Sequence, residues 1–314
     1  MANSDHTTIA AVPAWDTIME LFEAKAPPSA TPTDGVVSSD VTIDPFRSLW
    51  FRLYVPVPGA AVAAATTLPV IIYYHGGGFT FWSPDRKPYD DLCRRLAREL
   101  SAVVVSVNYR LAPQHRCPTQ YDDGFEALKF IDRNKIDGFP ANADVGKCFL
   151  AGDSAGGNLA HHVAVKACEH EFKALKVIGL ITIQPFFAAE ERSHSELWLK
   201  SDLIISSELI DLCLKNFLPD GSDRNHPALN VFGSKSKDIT SINNFPATLV
   251  ALGGLDPLQD LHRRYCEWLK SSGKEVTMVE YPNTPHLFYS FPKIPESSMF
   301  ISEIKVFMHN LLAK

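Results

Sequence analysis

Four short stretches of the chain carry residue types that could act together on a carbonyl group. Ser154 lies in Gly152-Asp153-Ser154-Ala155-Gly156, a Gly-x-Ser-x-Gly sequence that can turn a strand sharply into a helix and expose the serine hydroxyl. The same sequence can also be no more than a packing hinge. A hydroxyl is a poor nucleophile at its own pKa, so it needs a base, and the base needs a group to orient it. His286, in YPNTPHLF, and Asp256, in GGLDPLQD, are available for those two tasks. In YYHGGGF, the run His75-Gly76-Gly77-Gly78 lets the backbone turn tightly and aim its N–H groups at one point, because no Cβ intervenes. The amides of Gly77, Gly78 and Ala155 could then hold the negative oxygen of a tetrahedral intermediate. The chemistry this set can perform is acyl transfer. Ser154 attacks an ester carbonyl, His286 takes the proton and returns it to the leaving alcohol, and Asp256 holds the imidazole. A histidine base implies a rate that falls below roughly pH 6–7.

Such residues work only if the fold brings them together. Apolar, β-branched runs at Leu68 to Tyr74, Ala102 to Val107, Val177 to Ile183 and Ala247 to Leu252 predict buried strands. Shorter candidates are Val145 to Ala151 and Val276 to Tyr281. Helical spacing appears at Pro88 to Leu100, Thr119 to Asn134, Leu159 to Glu171, Glu208 to Phe217, Leu258 to Ser271 and Ser297 to Leu312. This alternation predicts an α/β fold: a mostly parallel central sheet with helices on both faces. In such sheets functional residues gather at the carboxyl ends of strands. Ser154, Asp256 and His286 each follow a predicted strand, and the chain order Ser, Asp, His is that of the α/β-hydrolase arrangement.

Two regions do not fit the alternation. Residues 1 to 45 hold a short amphipathic stretch, Trp15 to Phe22, and a Pro/Thr/Ser-rich linker from Ala26 to Ser39. Residues 186 to 235 insert Phe186, Phe187, Trp198 and the polar loop PDGSDRNHP between two core strands. Both read as cap elements over a single domain spanning residues 1 to 314. AAVAAATT, at 60 to 67, reads as an exposed loop.

Each candidate also has a plainer reading. Asp256 before Pro257 could be a helix cap, and Asp260 is then either a brace for that loop or the orienting acid itself. His161 and His162 read as structural or solvated, and His75 as a brace for the glycine loop. Asp153 either tunes the serine turn electrostatically or forms structural hydrogen bonds. The glycine run lacks the Lys and Ser/Thr of a P-loop, and no His-Glu-x-x-His spacing occurs, so neither a metal nor another cofactor is expected. Phe79, Trp82, Phe186, Phe187 and Leu287 are the candidate substrate-binding residues, with Phe81, Trp198 and Phe288 nearby in sequence. A pocket built from them favours small apolar or aromatic esters.

Bulk properties exclude other classes. With 46% apolar and 21% charged residues and a net charge of −6, the chain has the composition of a globular protein and no concentrated basic block. Nucleic acid and anionic membrane are therefore not expected partners. The segment MANSDHTTIAAVPAWDTIMELFEAK lacks the basic and apolar regions of a signal peptide, and no run of about 18 apolar residues suggests a membrane span. Six cysteines without a Cys-x-x-Cys spacing read as unpaired thiols in a reducing compartment, which points to the cytoplasm. Oligomeric state is not readable from these features.

Taken together, His75-Gly76-Gly77-Gly78, Asn108-Tyr109-Arg110-Leu111-Ala112-Pro113, Gly152 to Asn158 and Asp256-Pro257-Leu258-x-Asp260 resemble the hormone-sensitive-lipase-like α/β-hydrolases. The plant carboxylesterase branch, which includes the gibberellin receptor, is the most similar, and the resemblance spans roughly residues 45 to 312. It implies Ser154 as nucleophile, His286 as base, Asp256 as its orienting acid, and Gly77, Gly78 and Ala155 as the oxyanion hole. The N-terminal segment and the insertion are implied to form a cap. The resemblance also keeps two other readings open. The receptor branch retains the serine but lacks the histidine and closes its N-terminal segment over a hormone. Some plant members use the same pocket for elimination or cyclisation of specialised metabolites.

Overall fold

The computed structural model describes residues 15–57, 67–133, 135–199 and 205–314. Residues 1–14, most of the alanine-rich stretch expected as a loop, and residues 200–204 of the insertion lie outside it. In chain order the elements are α1 (Trp15–Glu23), β1 (Val36–Asp44), β2 (Leu49–Pro56), β3 (Leu68–Tyr74), α2 (Lys87–Leu100), β4 (Val103–Asn108), α3 (Thr119–Arg133), β5 (Ala143–Asp153) and α4 (Ala155–Cys168). There follow β6 (Val177–Ile183), α5 (His194–Trp198), α6 (Ser207–Phe217), β7 (Ala247–Gly253), α7 (Gln259–Ser271), β8 (Val276–Tyr281), a 3-10 turn (Phe288–Ser290) and α8 (Pro295–Leu312).

The eight strands form one sheet in the order β1-β2-β4-β3-β5-β6-β7-β8. From β4 to β8 every neighbouring pair is parallel. A parallel strand covered on both faces can be apolar throughout, and β7 is buried at every position. Alternate side chains of β3 feed two cores. Val70, Ile72 and Tyr74 pack with α3, α4, α7 and the insertion, whereas Ile71 and Tyr73 pack with α1, α2 and α8. This is the α/β-hydrolase architecture expected from the motifs.

The N-terminal region departs from the expectation. Residues 36–44, expected to lie in a linker and cap, form the edge strand β1, paired antiparallel with β2, which pairs antiparallel with β4. The apolar-run criterion passes over both strands. β1 is half-exposed and rich in Ser, Thr and Asp. β2 is interrupted by Arg52, a buried guanidinium that donates to Asp40 on β1 (2.6 and 2.9 Å) and lies 3.4 Å from Asp90 on α2. A buried cation is tolerable only when paired in this way. Among the described residues no helix is long and apolar enough to cross a membrane, and the six cysteines are unpaired.

Candidate active site

Four chain turns converge at the carboxyl ends of the parallel strands: Gly76–Gly78 after β3, Ser154 after β5, Asp256 after β7 and His286 after β8. The turn at Ser154 is strained. Its φ of 50° and ψ of −118° lie outside the regions L-residues favour, which costs on the order of 1–3 kcal/mol. Surrounding contacts hold it there. Ser154 N–H donates to Ile183 O (2.8 Å), and Ser154 O accepts from Phe186 N (2.8 Å). The flanking glycines are required sterically: a Cβ on Gly156 would stand 1.9 Å from Tyr74 O, and one on Gly152 2.3 Å from Gly156 O. Strand β3 and the start of α4 thus approach with no room for a side chain.

The glycine loop reaches the same point by positive backbone angles, +98° at Gly77 and +59° at Gly78. Among the described residues, no acceptor meets the amide N–H groups of Gly77, Gly78 or Ala155. Gly76 N–H is engaged, donating to Tyr89 Oη (2.9 Å). That phenol donates in turn to Asp153 Oδ2, which also receives Tyr289, while Tyr73 donates to Oδ1 (2.6 Å). Asp153 therefore ties the glycine loop to the serine turn. Burial pushes its carboxyl above the usual range and outweighs these three bonds. His75 lies flat against Tyr109, with ring centroids 4.3 Å apart. Burial brings its imidazole down to about 4, so it is neutral.

His286 Nδ1 lies 2.7 Å from Asp256 Oδ2, both groups being buried. Asp256 Oδ1 accepts from Leu258 N–H (2.9 Å). Burial raises the Asp256 carboxyl, but the adjacent imidazole and its hydrogen bond more than offset this and hold it below the ordinary range. Asp260 lies elsewhere. It accepts from Ser195 N–H (2.8 Å), bracing the insertion against α7, and makes no bond to His286. His161 donates to or accepts from Tyr265 Oη (2.8 Å), and His162 contacts Ala228 O (2.9 Å). Both pack helix α4 against its neighbours.

Ser154 and His286 open onto one apolar pocket of about 40 Å³, shared with Gly77, Gly78, Phe81, Trp82, Phe186, Leu258 and Leu287. Helix α6 and the residues before it close the far side with Ile205, Leu209, Ile210 and Cys213. A Cβ on Gly78 would stand 2.2 Å from Cys213 Sγ, so the insertion rests directly on the glycine loop. Among the described residues Ser154 makes no hydrogen bond to His286, a contact that tightens in many sites only when substrate binds. Of the candidate substrate-binding residues, Trp82, Phe186 and Leu287 face the pocket, but Phe79 and Phe187 do not. Phe79 is fully buried and stacks on Phe217 at 3.7 Å, and Phe187 packs on Tyr265 at 4.6 Å. Trp198 is exposed and Phe288 lies in the core beneath α8.

Sequence reasoning did not find the α6 face, the three phenols around Asp153, or Gln184. Gln184 directly follows β6, a parallel strand whose end no motif marks, and its Nε2 donates to Asp256 Oδ2 (2.7 Å). In the sequence Asn158 is marked only as the end of a motif, yet its amide donates to Phe186 O and Ala228 O and anchors the insertion. Among the described residues no cluster of side chains could hold a metal ion. A hydroxyl at a strained turn, an imidazole held by a carboxylate and three unengaged amides are together the parts that acyl transfer requires.

Comparison with known proteins agrees with this architecture. A family model described as alpha/beta hydrolase fold matches residues 71–290. A gibberellin receptor of Arabidopsis thaliana is 38% identical over 93% of this chain and 86% of its own length. Carboxylesterase 20 of the same plant is 37% identical over 91% and 89%. Among solved structures, the hyperthermophilic esterase of Pyrobaculum calidifontis is 29% identical, with a TM-score of 0.76 over 95% of this chain and 88% of that one.

Proposed function

Because this chain belongs to the α/β-hydrolase fold family, among the plant carboxylesterases and gibberellin receptors, we propose that it is a serine carboxylesterase acting on small, mostly apolar or aromatic esters. The observation that carries this reading is the 2.7 Å His286–Asp256 pair opening onto the pocket that holds Ser154. His286 accepts the Ser154 proton as the hydroxyl attacks the ester carbonyl. The resulting oxyanion rests on the amides of Gly77, Gly78 and Ala155. The imidazolium, held by Asp256, protonates the leaving alcohol, and water releases the acyl group by the reverse path. Among the described residues no Asp, Glu, Lys or Arg side chain lines the pocket, which supports an uncharged substrate. Trp82, Phe186 and Leu287 are its walls, with residues 15–35 and the insertion as the cap. Six unpaired thiols are in keeping with a reducing, cytoplasmic setting.

The receptor names among the relatives motivate a second reading, a ligand-binding protein without turnover. The presence of His286 beside Asp256 favours hydrolysis, since binding alone needs no oriented base. Hydrolysis of p-nitrophenyl acetate and butyrate by the wild type and by Ser154→Ala separates the two. We expect turnover that falls about 10⁴-fold or more in the variant, with an unchanged fold. No turnover by folded wild type would remove the esterase reading.

A further inference from the structure

The catalytic pair is gripped by a residue that no motif marks. Gln184 is fully buried and has a φ of +45°, a conformation that non-glycine residues hold only when their surroundings impose it. Its backbone N–H donates to Ala251 O on β7 (2.8 Å), which fixes it between two strands. Its side-chain amide makes three hydrogen bonds. Nε2 donates to Asp256 Oδ2 (2.7 Å) and to Pro285 O (3.1 Å), and Oε1 accepts from Leu287 N–H (2.9 Å). The orientation of the amide is unambiguous, because a flip would set its oxygen against two acceptors and its NH₂ against a donor.

One side chain thus touches the carboxylate that orients the base, the carbonyl just before the base and the N–H just after it. Leu287 has a φ of +65°, so the loop that carries His286 is itself strained on one side and needs restraint. Asp256 Oδ2 receives both Gln184 Nε2 and His286 Nδ1, each at 2.7 Å. The carboxylate therefore cannot turn without breaking two bonds, and the ring cannot move away without stretching the loop contacts. Gly253, at the end of β7, leaves space for this arrangement: a Cβ there would stand 3.0 Å from Gln184 Nε2.

We propose that Gln184 is a positioning residue that sets the register of Asp256 and His286 for proton transfer. The inference rests on the esterase reading for its kinetic consequence, but its geometric content is independent of turnover. Two variants test it. Gln184→Met keeps the volume and removes all three side-chain bonds; displacement of the base by about 1 Å lowers kcat about 10²-fold, with KM little changed. Gln184→Glu keeps the shape and adds a titration. The protonated carboxyl can still donate to Asp256, whereas the ionised one sets two carboxylates side by side. Its activity relative to wild type therefore declines as pH rises, a profile that a merely structural role would not produce.

The readout independent of catalysis is the low-field proton resonance of the His286–Asp256 hydrogen bond. It should be present in the wild type and shifted or lost in folded Gln184→Met. A folded Gln184→Met enzyme with wild-type kcat and an unchanged resonance would overturn the proposal. If the wild type turns over no ester, the esterase reading fails, and the resonance alone then decides the role of Gln184.

Discussion

Acid should unfold this protein, and buried histidines set the midpoint. His75 and His262 are both fully buried, and each has one ring nitrogen, Nε2 in His75 and Nδ1 in His262, without a partner among the described residues. Protonating either ring would place an N–H donor where nothing accepts it. Burial accordingly brings both down to about 4, against an ordinary value of 6.5, with the neighbouring Asp256 and His286 acting in opposite senses on His262. A base whose folded value is lowered contributes stability that is complete above the unfolded value. That stability is lost as pH falls from 6.5 towards 4, because the unfolded chain takes up the proton first. At pH 5 each ring has cost about 2 kcal/mol, or about 4 kcal/mol for the two. Burial lowers His161 and the half-buried His162 as well, so they add loss in the same sense. Against a total stability of about 5–15 kcal/mol, unfolding at ordinary temperature is expected between about pH 5 and 4. Urea titrations followed by tryptophan fluorescence at pH 7, 6 and 5 measure the loss directly. Replacing His262 by Gln should flatten the slope by about 1.4 kcal/mol per pH unit. A wild-type stability that changes by less than about 1 kcal/mol between pH 7 and 5 would refute the reasoning.

Two further changes probe the floor of the site. Gly156→Ala forces a Cβ to within 1.9 Å of the Tyr74 carbonyl. It should cost about 3 kcal/mol and remove esterase activity by opening the Ser154 turn; an unchanged urea midpoint would contradict the close approach of β3 and α4. Asp153→Asn acts on pH dependence with the opposite sign to the histidines. Burial raises the Asp153 carboxyl, so its contribution is fullest below about pH 4 and declines as pH rises through the folded value. The stability of Asp153→Asn relative to wild type should therefore improve from pH 4 to 7, and a difference independent of pH in the same titrations would show that the three phenols keep the carboxylate ionised as easily as water does.

The parts of the site that lie on parallel strands were legible because of what those strands must be. A strand buried on both faces is an unbroken apolar run, and its end is marked by the first glycine or polar residue. Ser154, Asp256 and Gly77–Gly78 could therefore be located by counting from β3, β5 and β7, whereas His286 follows β8, an edge strand that is exposed at several positions, and was placed by its order in the chain after Asp256. The two antiparallel strands were not legible by the same rule. β1 is polar because one side meets water, and Arg52 interrupts β2 unless its partners Asp40 and Asp90 are already known to be near. Adjacency in sequence also misassigned pocket walls. Phe79 and Trp82 are three residues apart, but the loop's positive backbone angles turn Phe79 onto Phe217 of α6 while Trp82 faces the cavity.

The amino-acid sequence by itself determined the fold class, the order of the chemical groups and the turns that carry them, since these depend on local composition and on the period of apolar residues. Tertiary structure alone decided which oxygen of Asp256 meets His286, that Asp260 braces the insertion instead, and that Gln184 holds the pair from a strand end no motif marks. Those outcomes depend on distances between residues 30 to 103 positions apart, which only the packing of one strand beside another can set.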